Sequence, residues 1–123
     1  MTAEELINLA LDADKVEDFQ TAFNCYKQAA ELGSVYAMLE VGSMYLKGAG
    51  VAKSEVEGFN WLKKAADLKN PTAMAMLARM YELGIGVESD IHEALKWYVD
   101  AANAGEVHAQ QRLETIFKGL GKS

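Results

Sequence analysis

Between residues 35 and 47 the apolar side chains Met38, Val41, Met44 and Tyr45 recur at helical spacing, so they share one face, while Glu40, Ser43 and Lys47 share another. Gly48 follows directly, where a left-handed residue closes a helix. A second helical stretch starts at Ser54, with Glu57 three residues on. That is the spacing of a capping box, in which each side chain satisfies a free backbone N–H of the first turn. Asp90 with Glu93, and Asp18, occupy the same place in two other stretches. Continued along the chain, the pattern predicts seven helices near 3–13, 18–32, 35–47, 54–68, 71–83, 90–104 and 106–118. Short connections predict that consecutive helices fold back on one another.

The pattern has a period of 36 residues. Tyr45-x-x-Gly48-x-Gly50-Val51 returns as Tyr81-x-x-Gly84-x-Gly86-Val87, Trp61 as Trp97, and Ala65-Ala66 as Ala101-Ala102. Residues 36–71 laid over 72–107 without a gap give 11 identities, where unrelated segments would share roughly two. A period in this range marks a stacked repeat architecture. Ala29-Ala30, Phe23 and Leu32 carry the phase backward; Ala109, Leu113 and Phe117 carry it forward. The chain therefore reads as one domain over 1–123: a degenerate repeat 1–35, full repeats 36–71 and 72–107, and a C-terminal half-repeat 108–123. The expected fold is an all-α solenoid, an α/α superhelix of about three and a half helix-turn-helix units.

The same phase assigns scaffold roles. Gly42 with Ala78, and Ala22 with Gly58 and Ala94, let helices approach closely. Tyr45, Tyr81, Trp61 and Trp97 are expected to fill the space between layers, so truncating either tryptophan to alanine would cost ~3–5 kcal/mol. Gly33 and Gly105 stop the second helices, while Lys69 takes that place in the middle copy, either in a strained turn or in a different one. Pro71 stands at a first helical position, where its missing N–H costs nothing.

These residues resemble the Sel-1-like repeat, a relative of the tetratricopeptide repeat. The resemblance is carried by Ala73, Leu77-Ala78, Met80-Tyr81, Gly84-Ile85-Gly86-Val87, Asp90, Ala94, Trp97, Ala101-Ala102 and Gly105. The preceding copy matches nearly as well, departing at Gly58 and Lys69. The resemblance implies a superhelix whose first helices line a concave groove, and a scaffold or adaptor that binds other proteins. A disulfide-stapled branch of the family is not what this chain resembles, because Cys25 is its one cysteine.

Composition narrows the rest. Half of the 123 residues are hydrophobic, enough for a core at this size. No stretch approaches the ~18 apolar residues that span a bilayer. The acidic start Met1-Thr2-Ala3-Glu4-Glu5 lacks the basic and apolar segments of a secretory signal, and Cys25 has no internal disulfide partner, so the reading is cytoplasmic, although a mature chain could have lost a leader. Twelve basic and eighteen acidic side chains give a net charge of −6, which on average repels nucleic acid and anionic membranes.

Catalytic and metal-binding signatures are thin. The Gly-x-Gly loops follow helices rather than strands, which makes them turns rather than phosphate cradles. His92 and His108 lie in different repeats with no ligand partner at metal-site spacing. Cys25 shares the phase of the two tryptophans and reads as a small buried hydrophobe. The common nucleophile and zinc-protease signatures are missing. The expectation is a protein that is not an enzyme and needs no cofactor.

Functional positions are then those where the copies differ on the first helices. By phase they are Tyr36, Thr72 and His108; Glu40, Met76 and Arg112; Ser43 and Arg79; and Lys47, which extends the first stripe. Met76 suits an apolar side chain of a partner or ordinary packing. Arg79, Arg112 and Lys47 make this face less acidic than the second helices, either to pair a peptide carboxylate or simply as a solvated surface. The leading reading is a non-enzymatic module that binds a protein or peptide in the concave groove. The alternatives are a dedicated inhibitor of one enzyme or toxin and, more distantly, a hydrolase in the cleft. Helix 106–118 offers Gln110, Gln111, Glu114 and Lys118 as a polar cap, and Phe117-x-Gly119-x-Gly121 reads as a remnant of the loop motif. Apolar surface left open there could dimerise or receive a partner helix.

Overall fold

A computed structural model describes residues 1–120 as seven α-helices: α1 (Ala3–Lys15), α2 (Phe19–Glu31), α3 (Val35–Lys47), α4 (Glu55–Asp67), α5 (Pro71–Leu83), α6 (Ile91–Asn103) and α7 (Val107–Leu120). Each helix packs chiefly on its neighbours in the chain, as in a solenoid. The expected elements are all present, with ends moved by two residues or fewer. Gly121 of the proposed loop remnant lies outside the described residues.

The helix starts follow from their caps. The side chains of Ser34, Ser54 and Asn70 accept from the backbone N–H three residues on, and Asp90 accepts from His92 and Glu93. The capping box expected at Ser54 has only this half. Its other half is not needed, because the Ser54 N–H already donates to the Tyr45 carbonyl at 2.9 Å. Asp90 donates likewise to Tyr81, and Asp18 to Ala13. The box is complete at Thr2, where Glu5 accepts from the Thr2 N–H.

Those three matching bonds set the register of the first repeat. Ala13 stands where Tyr45 and Tyr81 stand, 32 rather than 36 residues before Tyr45. The α1–α2 connection covers 16–18, whereas α3–α4 and α5–α6 are joined by 48–54 and 84–90. The first unit is thus a full helix pair with a shortened loop. Leu6, Met38 and Met74 align at this offset, as do Ala10, Gly42 and Ala78, and all six are buried.

The small residues act as expected. A Cβ on Gly42 would meet the Leu62 side chain at 2.8 Å, and one on Gly58 would meet Leu46 at 2.6 Å, so glycine at both lets α3 and α4 close up. Second glycines of the loops join one repeat to the one before. A methyl on Gly50 would overlap the Phe19 carbonyl at the start of α2, and one on Gly86 the Glu55 carbonyl at the start of α4. Both also take a left-handed φ, 73° and 69°. Aromatic pairs repeat the same join. Phe23 meets Tyr45 edge-on at 5.2 Å and Phe59 meets Tyr81 at 5.4 Å.

The core departs from expectation at the tryptophans. Trp61 is buried, but Trp97 and Cys25 at the same phase are only partly so. The deeper phase is the next one: Tyr26, Leu62 and Tyr98 are 1, 0 and 4 % exposed. Trp97 instead lies partly open beneath the Lys63 ammonium, 5.8 Å from the ring centre. Lys69 does adopt the left-handed turn, at φ 71°. At the C-terminal end Ala109 is the one buried residue among those described in α7, and Phe117 is exposed.

Candidate functional site

Two clusters form where a second-helix tyrosine passes between adjacent first helices. Tyr98 of α6 rises between α5 and α7, and its hydroxyl donates to Glu82 Oε1 at 2.7 Å. Arg112 of α7 donates to the same carboxylate through Nε, at 3.1 and 3.2 Å, and through Nη2. Side-on pairing of this kind fixes the guanidinium plane. The Arg112 contact holds the Glu82 carboxyl below the usual carboxylate range, against partial burial and with help from the Tyr98 hydroxyl. Burial, then the bond to Glu82, pushes the Tyr98 hydroxyl up, so it remains a donor.

The mirror of this arrangement lies between α1 and α3. Tyr26 of α2 donates to Asp14 Oδ2 at 3.1 Å. Asp14 and Glu82 are equivalent once the shortened loop is allowed for. No arginine answers Asp14. Tyr36 lies edge-on to Tyr26 at 6.3 Å, and Glu40 stands at the position that Arg112 holds in α7. Burial and the nearby Asp14 charge push the Glu40 carboxyl up, with Lys47 opposing. The middle interval is apolar, with Leu46 and Leu62 at the carboxylate and tyrosine positions.

The nine positions singled out by phase therefore fall into three groups. Tyr36 and Glu40 join Tyr26 and Asp14 at the α1–α3 interval. Arg79, His108 and Arg112 line a pocket of about 370 Å³ between α5 and α7, together with Glu82, Tyr98 and the apolar Ala75, Leu83 and Ala109. The remaining four are Ser43 and Lys47 on α3 and Thr72 and Met76 on α5, with Met76 half-buried and Thr72 exposed. Sequence comparison missed Asp14, Tyr26, Glu82 and Tyr98. Tyr26 and Tyr98 do share a phase, but Leu62 between them breaks the identity; Asp14 is hidden by the loop deletion. The first-helix face is also more acidic than its cations imply, because Asp14, Glu40 and Glu82 all stand on it.

At α7, Glu106 caps the helix by accepting from the Ala109 N–H at 2.6 Å and pairs with His108 Nδ1 at 2.9 Å. His92 lies at the start of α6, in another element. Among the described residues no three His, Cys, Asp or Glu side chains are grouped as metal ligands. No helix among them is long and apolar enough to cross a membrane.

Successive antiparallel helix pairs, each packed on the one before, define an α/α repeat solenoid. The Sel1 repeat family model matches residues 11–34, 35–70 and 71–106, and the chain belongs to that family. Among solved structures it is similar to a Sel1 repeat protein from Oxalobacter formigenes, at 34% identity and TM-score 0.84, over 92% of this chain and 88% of that one. It is also similar to a protective antigen of uropathogenic Escherichia coli strains that displays an SLR fold, at 33% identity and TM-score 0.77, over 82% of this chain and 22% of the antigen. Helicobacter pylori cysteine rich protein B shares the fold at 20% identity and TM-score 0.73, over 89% of this chain and 92% of that one. No curated protein gives a significant match.

Proposed function

We propose that the chain is a non-enzymatic binding module that takes a partner protein or peptide on the concave face formed by α1, α3, α5 and α7. One observation carries this reading. Framework positions repeat from copy to copy, while exposed and half-buried positions of the first helices change character: Tyr36, Thr72 and His108 at one level, Glu40, Met76 and Arg112 at the next, Ser43 and Arg79 at a third. A stack needs uniform joints to propagate; changes of charge and size at solvent-accessible positions of the first helices suit recognition of a particular partner. Membership of the Sel1 repeat family, whose members are typically protein-binding scaffolds, supports the same conclusion.

The test is site-specific photo-crosslinking in the native cell. A photoreactive side chain at Ser43 or Thr72 is expected to capture the partner. The same probe at Asn60 or Lys96, one repeat apart on the exposed side of α4 and α6, is expected to capture nothing comparable. The opposite pattern would move the binding face to the second helices.

A further inference from the structure

We propose that the pocket between α5 and α7 receives the free C-terminal carboxylate of a partner chain ending in an apolar residue. The inference rests on the first-helix face being the binding face.

The pocket is particular to this interval. Position 75 is alanine, where the equivalent residues of α1 and α3 are Ile7 and Leu39. At the α3–α5 interval the matching positions are Ser43, Leu46, Leu62 and Met76, none of them charged; at α1–α3, Glu40 faces Asp14 and the sign is negative. Only between α5 and α7 do two guanidinium groups meet one carboxylate. Glu82 is already engaged by Tyr98 and Arg112. Arg79 is exposed and forms no hydrogen bond or ion pair among the described residues, and Arg112 is held through Nε and Nη2 by Glu82 at the pocket wall. An anion placed beside them gains charge-assisted hydrogen bonds from a fixed plane.

Size and lining select the kind of anion. About 370 Å³ is at the small end of ligand pockets. It has room for one residue with its side chain and carboxylate. A C-terminal residue carries its carboxylate and its side chain on one carbon, which suits cations set against Ala75 and Ala109. An internal aspartate or glutamate spends its side chain on the carboxylate and brings no second group on the same carbon to cover Ala75 and Ala109.

The ¹⁵N-labelled protein can be titrated with acetyl-Gly-Ala-Gly-Ala-Leu as free acid, with its C-terminal amide, and with the amidated peptide acetyl-Gly-Ala-Asp-Ala-Leu-NH₂. The free acid is expected to shift the Ala75, Arg79 and Ala109 resonances saturably. The amide should bind about tenfold more weakly or worse, the loss expected for one charged hydrogen bond. Arg79→Ala should weaken the free acid by a similar factor with at most a small drop in Tm, since Arg79 acts on Glu82 and Tyr98 only through space. Ala75→Leu should fill the pocket with the side chain that α3 carries at the equivalent position; should it fail to fold, Arg79→Ala decides alone. Equal binding of acid and amide, equal binding by Arg79→Ala, or tighter binding of the aspartyl peptide overturns the proposal. Displacement by inorganic phosphate at equal concentration would also overturn it, by showing a general anion site. If groove crosslinks persist while the pocket is silent, only this inference falls; if the crosslinks move to the second helices, the binding face itself falls.

Discussion

Trp61 and Trp97 are identical residues at one repeat position, yet their burial differs. Trp61 is 8 % exposed and covered by Lys64, whose ammonium lies 4.2 Å from the ring centre. Trp97 is partly open, with Lys63 as its cover. Truncation to alanine should therefore separate them: Trp61→Ala is expected to cost ~3–5 kcal/mol, and Trp97→Ala about half of that. Urea unfolding of both variants measures the difference, and equal losses would contradict it. Identity between copies pointed to the tryptophans because it rewards sameness. The deepest level, Tyr26, Leu62 and Tyr98, changes its chemistry from copy to copy together with Asp14, Leu46 and Glu82. A hydroxyl needs a carboxylate where a leucine needs a leucine, and such covariation is invisible to a comparison that counts matches. Arg79 and Arg112 were legible as first-helix cations. That Arg112 is clamped was not, because its partner is 30 residues away on another helix.

Helices were the most legible level. Helical spacing and side-chain caps recur in each copy, and consistency across levels is what specifies a fold. The four-residue deletion after α1 was not legible without a gap, and it made a complete helix pair look worn. The turns between repeats show where local strain persists. Gly33 and Gly105 take a left-handed φ freely, while Lys69 takes φ 71° at the same position. A side chain in that region is strained by about 1 kcal/mol. Lys69→Gly is expected to raise stability by about 0.5 kcal/mol, the strain relieved being partly offset by the greater entropy of unfolded glycine. Chemical denaturation with an unchanged m-value would register it; a loss of stability would show that the lysine stem contributes more than its backbone costs. Gly33→Ala, with open space around its Cβ, isolates the strain from packing.

Across the whole molecule, contacts run along the chain rather than across it. Stability in such an array is a sum of unit and joint contributions, so the ends open before the middle. The two ends are unequal. Among the described residues, α1 buries Leu6, Ala10 and Ala13, while α7 buries Ala109 alone and leaves Phe117 exposed. Amide exchange is expected to be fastest in α7, slower in α1 and slowest in α3 to α6. Uniform protection would instead show one cooperative unit. This places the proposed carboxylate pocket against the loosest helix, so a ligand held by Arg79 and Arg112 should slow exchange in α7 before it affects any other element.

The glycine loops also give the array a sense of direction. Each loop carries the glycine that seats on the helix pair before it: Gly50 on the start of α2, Gly86 on the start of α4. The shortened connection at 16–18 has no such glycine. Every long loop therefore behaves as a hook that reaches backward, and the first pair offers an eye without carrying a hook of its own. The inner pairs are interchangeable parts in that sense and the first is not. Units could be inserted between repeats, or added after α7, by copying a segment that brings its own hook. Lengthening the stack ahead of α1 would first require restoring the four residues that the first loop lacks.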